Sequence, residues 1–157
     1  MGVGPSTKET SIHHFKDPLL NIVSSDMEVD LAGIIIVGTP QDNYTKLLVG
    51  KRVATLVNAM KCQGAILSAD GWGNSDIDFA NTMEEIGLRG VSVVGMKFIG
   101  KQAKFVVEND YTKLVVDLNK SNEGKETEVV GENAANALDA KKALALLKLK
   151  MRKDSST

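Results

Sequence analysis

The densest group of polar side chains able to bind a small ligand lies in residues 70–79. Glycines allow a backbone to approach a ligand closely, and the free N–H groups at the start of a helix bind anions. A plain turn is the alternative, in which Ser75 caps the helix while Asp76 and Asp78 favour its first turn. The candidate ligand-binding residues, which include the only tryptophan of the chain, are Asp70, Gly71, Trp72, Gly73, Asn74 and Asp76.

Other reactive side chains are few. The two histidines, His13 and His14, are neighbours near the N-terminus. Neighbouring side chains of an extended segment point in opposite directions, so they make a poor metal pair, and a zinc site needs more ligands than these. We therefore expect no metal site and a surface or interface role for both. The single cysteine, Cys62, excludes an internal disulfide and is predicted to be a buried structural thiol.

Composition and motifs exclude several classes of function. No G-x-x-x-x-G-K-[ST] occurs, and no G-x-G-x-x-G lies between a strand and a helix, so a nucleotide cofactor is not expected. The net charge of -1 and an aromatic content of 4% argue against nucleic acid as a partner. No apolar run approaches the roughly 18 residues of a membrane span, and no signal peptide follows Met1. These patterns predict a soluble, cytoplasmic protein that does not bind membranes.

Alternating strand and helix patterns surround the 70–79 stretch. The β-branched run inside Leu31–Gly38 is typical of a strand buried on both faces of a sheet. The predicted strands are Leu31–Gly38, Gly64–Ala69, Val91–Phe98, Lys104–Val107 and Lys113–Leu118. The predicted helices are Pro18–Ser24, Asn43–Lys61, Asp76–Leu88 and a long C-terminal helix that contains Ala137 to Met151. Residues Thr39–Asp42 are predicted to end the first strand and to cap the helix that follows. Gly50 leaves open a helix that begins near Lys51, because glycine disfavours helix interiors.

This order of elements predicts the fold class. Strands separated by helices favour a mainly parallel sheet, so we expect an α/β fold, a three-layer Rossmann-like domain. The length suits a single domain, at residues 18–157, behind an N-terminal arm at residues 1–17. The 70–79 stretch would then follow the carboxyl end of a strand, where parallel sheets bind their ligands.

Several motifs, taken together and in order, resemble one family of reductase subunits. From about Asp30 to Lys153 the chain resembles the proproteins of component B of glycine, sarcosine and betaine reductase, and of D-proline reductase. The resemblance implies that residues 18–157 form one component B-like domain. The motifs are Gly64–Leu67, Asp70–Asn74, Ile77–Phe79, Ile86-Gly87, Arg89-Gly90, Val93–Gly95, Val129–Asn133 and Leu138–Lys148.

The resemblance also implies a cofactor. In that family a proprotein is cut before a cysteine, which becomes a pyruvoyl group that forms an imine-type adduct with the substrate amine. A selenocysteine of a partner subunit then attacks the activated carbon. Here Cys62 lies deep in the domain pattern, so we expect no pyruvoyl group and no other cofactor. The nearest equivalent is Thr10–Ser11, because serine can also yield a pyruvoyl, with His13 or His14 as a helper.

The resemblance therefore favours an accessory or paralogous subunit of the D-proline reductase system, which cleaves the ring of D-proline reductively in the Stickland fermentation of amino acids by anaerobes. The expected partners are the D-proline reductase proprotein and selenoprotein subunits, or a second copy of the chain. Two alternatives stay open. One is a pyruvoyl-type catalytic subunit processed at Thr10–Ser11, an oxidoreductase component. The other is a module that binds an amino acid through the 70–79 loop.

Overall fold

The computed structural model describes residues 18–69, 74–97, 99, 107–118 and 135–156. The N-terminal arm and most of the predicted strand Lys104–Val107 lie outside these ranges. The described helices are α1 (Leu19–Ser24), α2 (Asn43–Ala59), α3 (Asn74–Gly87) and α4 (Ala137–Asp154), and the strands are β1 (Gly64–Ala69), β2 (Ser92–Lys97) and β3 (Val115–Asp117).

The three strands form a parallel sheet in the order β1-β2-β3. Gly64 lies opposite Ser92, and Gly95 lies opposite Val115. Every residue of the central strand, β2, is buried, as expected for a parallel strand covered on both faces. The prediction of an α/β fold with a parallel sheet is confirmed.

Two apolar cores lie on the two faces of the sheet. Side chains alternate along a strand, so Val93 enters one core while Val94 and Met96 enter the other. Core 1 lies between the sheet and α3, with α2 packed on α3. Core 2 lies under α4. The buried residues of core 1 are Val53, Ala54, Val57, Phe79, Met83, Ile86, Val91 and Val93, and those of core 2 are Val94, Met96, Val116, Leu118, Ala143 and Leu147.

Side chains near the helix starts satisfy backbone N–H groups that have no partner inside the helix. The Asp42 carboxylate accepts a hydrogen bond of 2.8 Å from the Thr45 N–H, which confirms the predicted cap of α2. At α4 the Asn136 side chain accepts from the N–H groups of Leu138 and Asp139, and the Asp139 carboxylate accepts from the Asn136 N–H. This reciprocal capping box fixes the start of the longest helix.

Helix α2 runs through Gly50 without interruption, so the alternative start near Lys51 is wrong. A Cβ at Gly50 would lie 2.1 Å from the Asn81 Nδ2 atom on α3. Glycine is tolerated here because it allows two helices to approach closely, which offsets its cost in a helix interior.

The prediction of a strand over Leu31–Gly38 is wrong for this structure. Residues 31–38 have no regular secondary structure, and Ile34 and Ile36 are 63% and 89% exposed. Among the described residues, none donates or accepts a backbone hydrogen bond with residues 31–38. A β-branched composition makes a segment suited to a sheet, but a strand also needs a neighbour to complete its ladder.

The segment that follows α1 is tied to α4 by charge. The Lys148 Nζ atom lies 2.6 Å from the Asp26 Oδ2 atom and 2.9 Å from the Glu28 Oε2 atom. The hydrogen bond from Lys148 holds the pKa of Asp26 below its usual value, and the same contacts raise the pKa of Lys148. The contact joins residues 122 positions apart in sequence, so it links the two ends of the described chain.

Candidate functional site

A fully buried lysine lies at the carboxyl end of the sheet. Lys97 is the last residue of β2 and is 0% exposed. Its Nζ atom lies 3.0 Å from the Asp76 Oδ1 atom, and the ammonium donates a hydrogen bond of 3.0 Å to the Ser75 Oγ atom. The same ammonium lies 5.7 Å from the centre of the Phe79 ring. Since a buried charge is costly without partners, these contacts account for its presence.

A second buried ion pair joins the beginning of α3 to a different element, α2. The Lys46 Nζ atom on α2 lies 2.5 Å from the Asp78 Oδ2 atom, and the two side chains are 2% and 12% exposed. The other oxygen of Asp78, Oδ1, has no hydrogen-bond partner among the described residues. The first turns of α3 are therefore joined to β2 through Asp76 and to α2 through Asp78.

We call these residues, which are Lys46, Ser75, Asp76, Asp78 and Lys97, the Lys97 cluster. Its geometry limits what it can do. Lys97 and Lys46 expose almost no surface, so neither ammonium is open to a ligand from solvent. Two carboxylates, each paired with a buried ammonium, instead fix the start of α3 against the carboxyl edge of the sheet. Breaking such a pair leaves an uncompensated buried charge, so its geometry is strongly maintained.

The structure describes only part of the predicted ligand-binding group. Asn74 begins α3, and Asp76 lies in its first turn, 4% exposed and paired with Lys97. The residues Asp70, Gly71, Trp72 and Gly73 lie outside the described ranges, as do the weak catalytic candidates Ser11, His13 and His14. A ligand-binding role for residues 70–76 stays a prediction.

One detail of the alternative turn is wrong. Ser75 does not cap α3, because the helix already begins at Asn74, and the Ser75 hydroxyl instead accepts a hydrogen bond from Lys97. Sequence reasoning also missed Lys97 itself. The available signal was a charged residue directly after the apolar residues Val93–Met96 of a strand, although such a lysine is more often solvent-exposed.

Cys62 follows α2 and is half-buried against core 1. Its N–H donates a hydrogen bond of 3.3 Å to the Val57 carbonyl, directly after Lys61, which has a positive φ of 55°. The Lys61–Cys62 peptide is therefore part of the turn that ends α2. A pyruvoyl group made from Cys62 would require a cut inside that turn, which would break the covalent link from α1 and α2 to the sheet.

The described residues form no metal site, and the surface grooves among them do not include the cluster. Within the described ranges, no group of three or more histidine, cysteine, aspartate or glutamate side chains could hold a metal ion. Two surface grooves of about 460 and 370 Å³ run beside α4, and no residue that lines them belongs to the Lys97 cluster. No helix in the part of the chain that the structure describes has the length and apolar character needed to cross a membrane.

Comparison with known sequences identifies the family. The sequence profile of the glycine/sarcosine/betaine reductase component B subunits matches residues 2–133. The chain belongs to this family. The resemblance noted from the motifs is confirmed, and the matched region contains α1 to α3 and the whole sheet together with the buried lysine cluster.

One protein of similar sequence is the D-proline reductase proprotein PrdA of Acetoanaerobium sticklandii. The chain is 44% identical to it over 146 residues, which make up 93% of this chain and 23% of the relative. The chain thus spans about a quarter of the length of that protein. No solved structure matches the chain significantly.

Proposed function

We propose that the chain is an accessory or paralogous subunit of the D-proline reductase system, which works in amino-acid fermentation. The observation that carries the proposal is the 44% identity to a D-proline reductase proprotein over 93% of the chain. Its partners on this proposal are the proprotein and the selenoprotein subunit, in the cytoplasm. The parallel sheet with helices on both faces supports the further proposal that the fold is Rossmann-like.

The position of Cys62 supports a role without a pyruvoyl group made from that residue. Its N–H and the Lys61 backbone complete the end of α2, and its side chain packs against core 1. The Lys97 cluster supports a scaffold role, because its charged groups are buried and pair with one another inside the fold.

Association with the proprotein tests the proposal directly. The purified chain is mixed with uncleaved D-proline reductase proprotein of Acetoanaerobium sticklandii, and the fragments are followed on a gel while a tag on the chain is used for capture. We expect the proprotein to be captured, with a changed rate of fragment appearance if the chain acts in maturation. Absence of both capture and a change in processing would contradict the proposal.

The variant Cys62→Ser is the matched control. Sulfur is replaced by oxygen at nearly constant volume, so the fold and the association with the proprotein should be retained. Loss of association in Cys62→Ser, with an unchanged circular dichroism spectrum, would instead indicate that the thiol takes part in the function.

A catalytic subunit processed at Thr10–Ser11 is the first alternative. Such processing removes residues 1–10 and leaves a carbonyl that reacts with hydrazines. The intact mass of the protein after expression distinguishes the two cases. We expect the full-length mass and no hydrazone, whereas a shortened mass with a hydrazone would establish the catalytic alternative.

An amino-acid-binding module is the second alternative, favoured by the placement of Ser75 and Asp76 at the carboxyl edge of a parallel sheet. Calorimetry with D-proline and with L-proline tests it. Trp72 is the only tryptophan, so its fluorescence should change on binding if the loop before α3 contacts the ligand. No heat and no fluorescence change with either isomer would exclude proline as the ligand.

A further inference from the structure

Helix α4 has a line of exposed apolar side chains on the side that is turned away from the sheet. Its contacts with core 2 are made by Ala143 and Leu147. Because an α-helix has about 3.6 residues per turn, Leu138, Ala145 and Leu149 fall on the opposite side. Leu138 and Leu149 are 59% and 49% exposed, and Ala145 between them is exposed as well. One apolar side of α4 is therefore packed on the sheet, and the other is open to solvent.

The exposed line has the spacing of a surface that pairs with another helix. We call it the outer seam, and its residues are Leu138, Lys142, Ala145 and Leu149. They are separated by four, three and four residues, which is the repeat at which one helix packs along a second one. The element that fits the outer seam is thus a partner helix.

A groove lies on each side of the outer seam, and both grooves reach Ala145. The first, of about 460 Å³, lies between α4 and β3, and the second, of about 370 Å³, lies between α4 and the end of α1. Their apolar lining residues other than Ala145 are Val115, Val116 and Leu146 in the first groove and Ile22 and Leu144 in the second. Since the side chains of one helix pack into the grooves beside another, the two grooves offer space to a docked helix.

The charge of α4 around the outer seam is positive. Between Asp139 and Asp154 the helix has six lysines and arginines and no acidic residue. Three of the six pair with carboxylates of this chain, namely Lys148, Lys150 and Arg152. Lys141, beside the seam, and Lys142, within it, are exposed and make no ion pair with the residues that the structure describes. Two such cations along an apolar line are complementary to a helix that carries carboxylates beside apolar side chains.

We propose that the outer seam and its two grooves bind an acidic amphipathic helix of the D-proline reductase proprotein, an inference that rests on the proposed function. The apolar side chains of that helix pack on Leu138, Ala145 and Leu149, and its carboxylates pair with Lys141 and Lys142. A second copy of the chain fits less well, because two α4 helices would bring their lysines together and like charges across an interface repel.

Charge reversal tests the docking in the full-length chain. The Kd for the uncleaved proprotein is measured for the unmodified chain and for Lys141→Glu with Lys142→Glu. We expect the double variant to raise the Kd at least about tenfold, because it places carboxylates opposite carboxylates. The matched control is Lys51→Glu with Arg52→Glu, two neighbouring exposed cations of α2. It changes the net charge equally, so its Kd should stay within about twofold of the unmodified value in moderate salt. Thermal unfolding verifies that both variants are folded.

The variant Leu149→Ala tests the apolar part of the outer seam. Truncation removes apolar area that docking buries, so the Kd should rise at least about fivefold. Leu56→Ala is the matched control, because Leu56 is exposed to a similar degree, 52%, but lies on α2. Its Kd should equal that of the unmodified chain, and an equal rise in both variants would overturn the proposal.

Acetylation of lysines in the unmodified protein provides a measurement that does not depend on variants. Binding of the proprotein should slow the acetylation of Lys141 and Lys142 at least about fivefold while Lys51 reacts as before, since an interface core excludes solvent. Two results would assign the outer seam to another occupant and overturn the proposal. Slow acetylation already in the isolated chain would assign it to a segment of the same chain, and a dimer of the isolated chain that Lys141→Glu with Lys142→Glu dissociates would assign it to a second copy.

Failure of this inference is distinguishable from failure of the proposed function. If the unmodified chain binds the proprotein and the two charge reversals have equal effects, the docking surface lies elsewhere and the proposed function stands. If the unmodified chain does not bind the proprotein at all, the proposed function and the docking are both overturned.

Discussion

At the scale of single residues, the pairing of Lys97 with Asp76 is the feature with the largest expected energetic effect. Both side chains are almost entirely buried, and the ammonium lies 3.0 Å from the carboxylate. The pair joins the last residue of β2 to the first turn of α3. Its net contribution relative to an apolar pair is small, but the loss of one partner is severe because the other remains as a buried charge.

The variant Lys97→Met should therefore destabilise the protein by about 3–5 kcal/mol, measured by urea unfolding. The double variant Lys97→Met with Asp76→Leu should recover most of this loss, since both charges are removed. Lys113→Met is the control, because Lys113 and Asp110 form an exposed ion pair, at 73% and 87% exposure, and its loss should change stability by less than about 1 kcal/mol. Equal effects of Lys97→Met and Lys113→Met would contradict the assignment.

At the scale of elements, local pattern predicted most of what the structure contains. The apolar runs of β1 and β2, the periodicity of α2 and α3 and the cap at Asp42 follow from residue types a few positions apart. Residues 31–38 failed as a predicted strand because pairing depends on a neighbour that is distant in sequence. Lys97 was missed for a similar reason: its partners, Ser75 and Asp76, lie on a different element, so no local pattern reveals that the lysine is buried.

Substituting a glycine by alanine tests how closely two neighbouring elements approach at that position. A Cβ at Gly95, in the central strand, would lie 2.6 Å from the Phe79 Cζ atom and 2.9 Å from the Val115 Cγ2 atom. Gly95→Ala should therefore cost about 1–3 kcal/mol through overpacking between β2, β3 and α3. Gly38→Ala is the matched control, since a Cβ there meets no atom within 4 Å, and its effect should stay within about 0.5 kcal/mol. A neutral Gly95→Ala in thermal unfolding would show that this contact is looser than the structure indicates.

At the scale of the whole molecule, the link between α4 and the segment after α1 should make part of the stability depend on pH. The hydrogen bond from Lys148 lowers the pKa of Asp26 and of Glu28. A carboxyl group whose folded pKa is lowered stabilises the fold above its unfolded pKa, and the effect is lost as the pH falls through the folded value. For Asp26 the ordinary value is 3.8, so the loss should occur below about pH 4.

Lys148, the lysine of the same link, makes the stability of the fold decrease as the pH rises at high pH. The pKa of Lys148 is raised above 10.5 by its hydrogen bonds to Asp26 and Glu28. Its stabilising effect should be complete below pH 10.5 and should disappear as the pH rises through the higher folded value. Both limits follow from one ammonium shared by two carboxylates, so removing that ammonium should remove both.

The variant Lys148→Met tests this link as a difference between two melting curves. At pH 7 the variant should have a lower Tm than the unmodified protein, and the difference should shrink as the pH falls below about 4, because protonation of Asp26 and Glu28 then opposes the link. Lys142→Met is the control on the same helix, because Lys142 is exposed and makes no ion pair with the described residues, so its Tm should follow the unmodified protein at both pH values. A Tm difference for Lys148→Met that is the same at pH 7 and pH 3 would mean that the lysine acts through packing of its aliphatic chain and not through its charge.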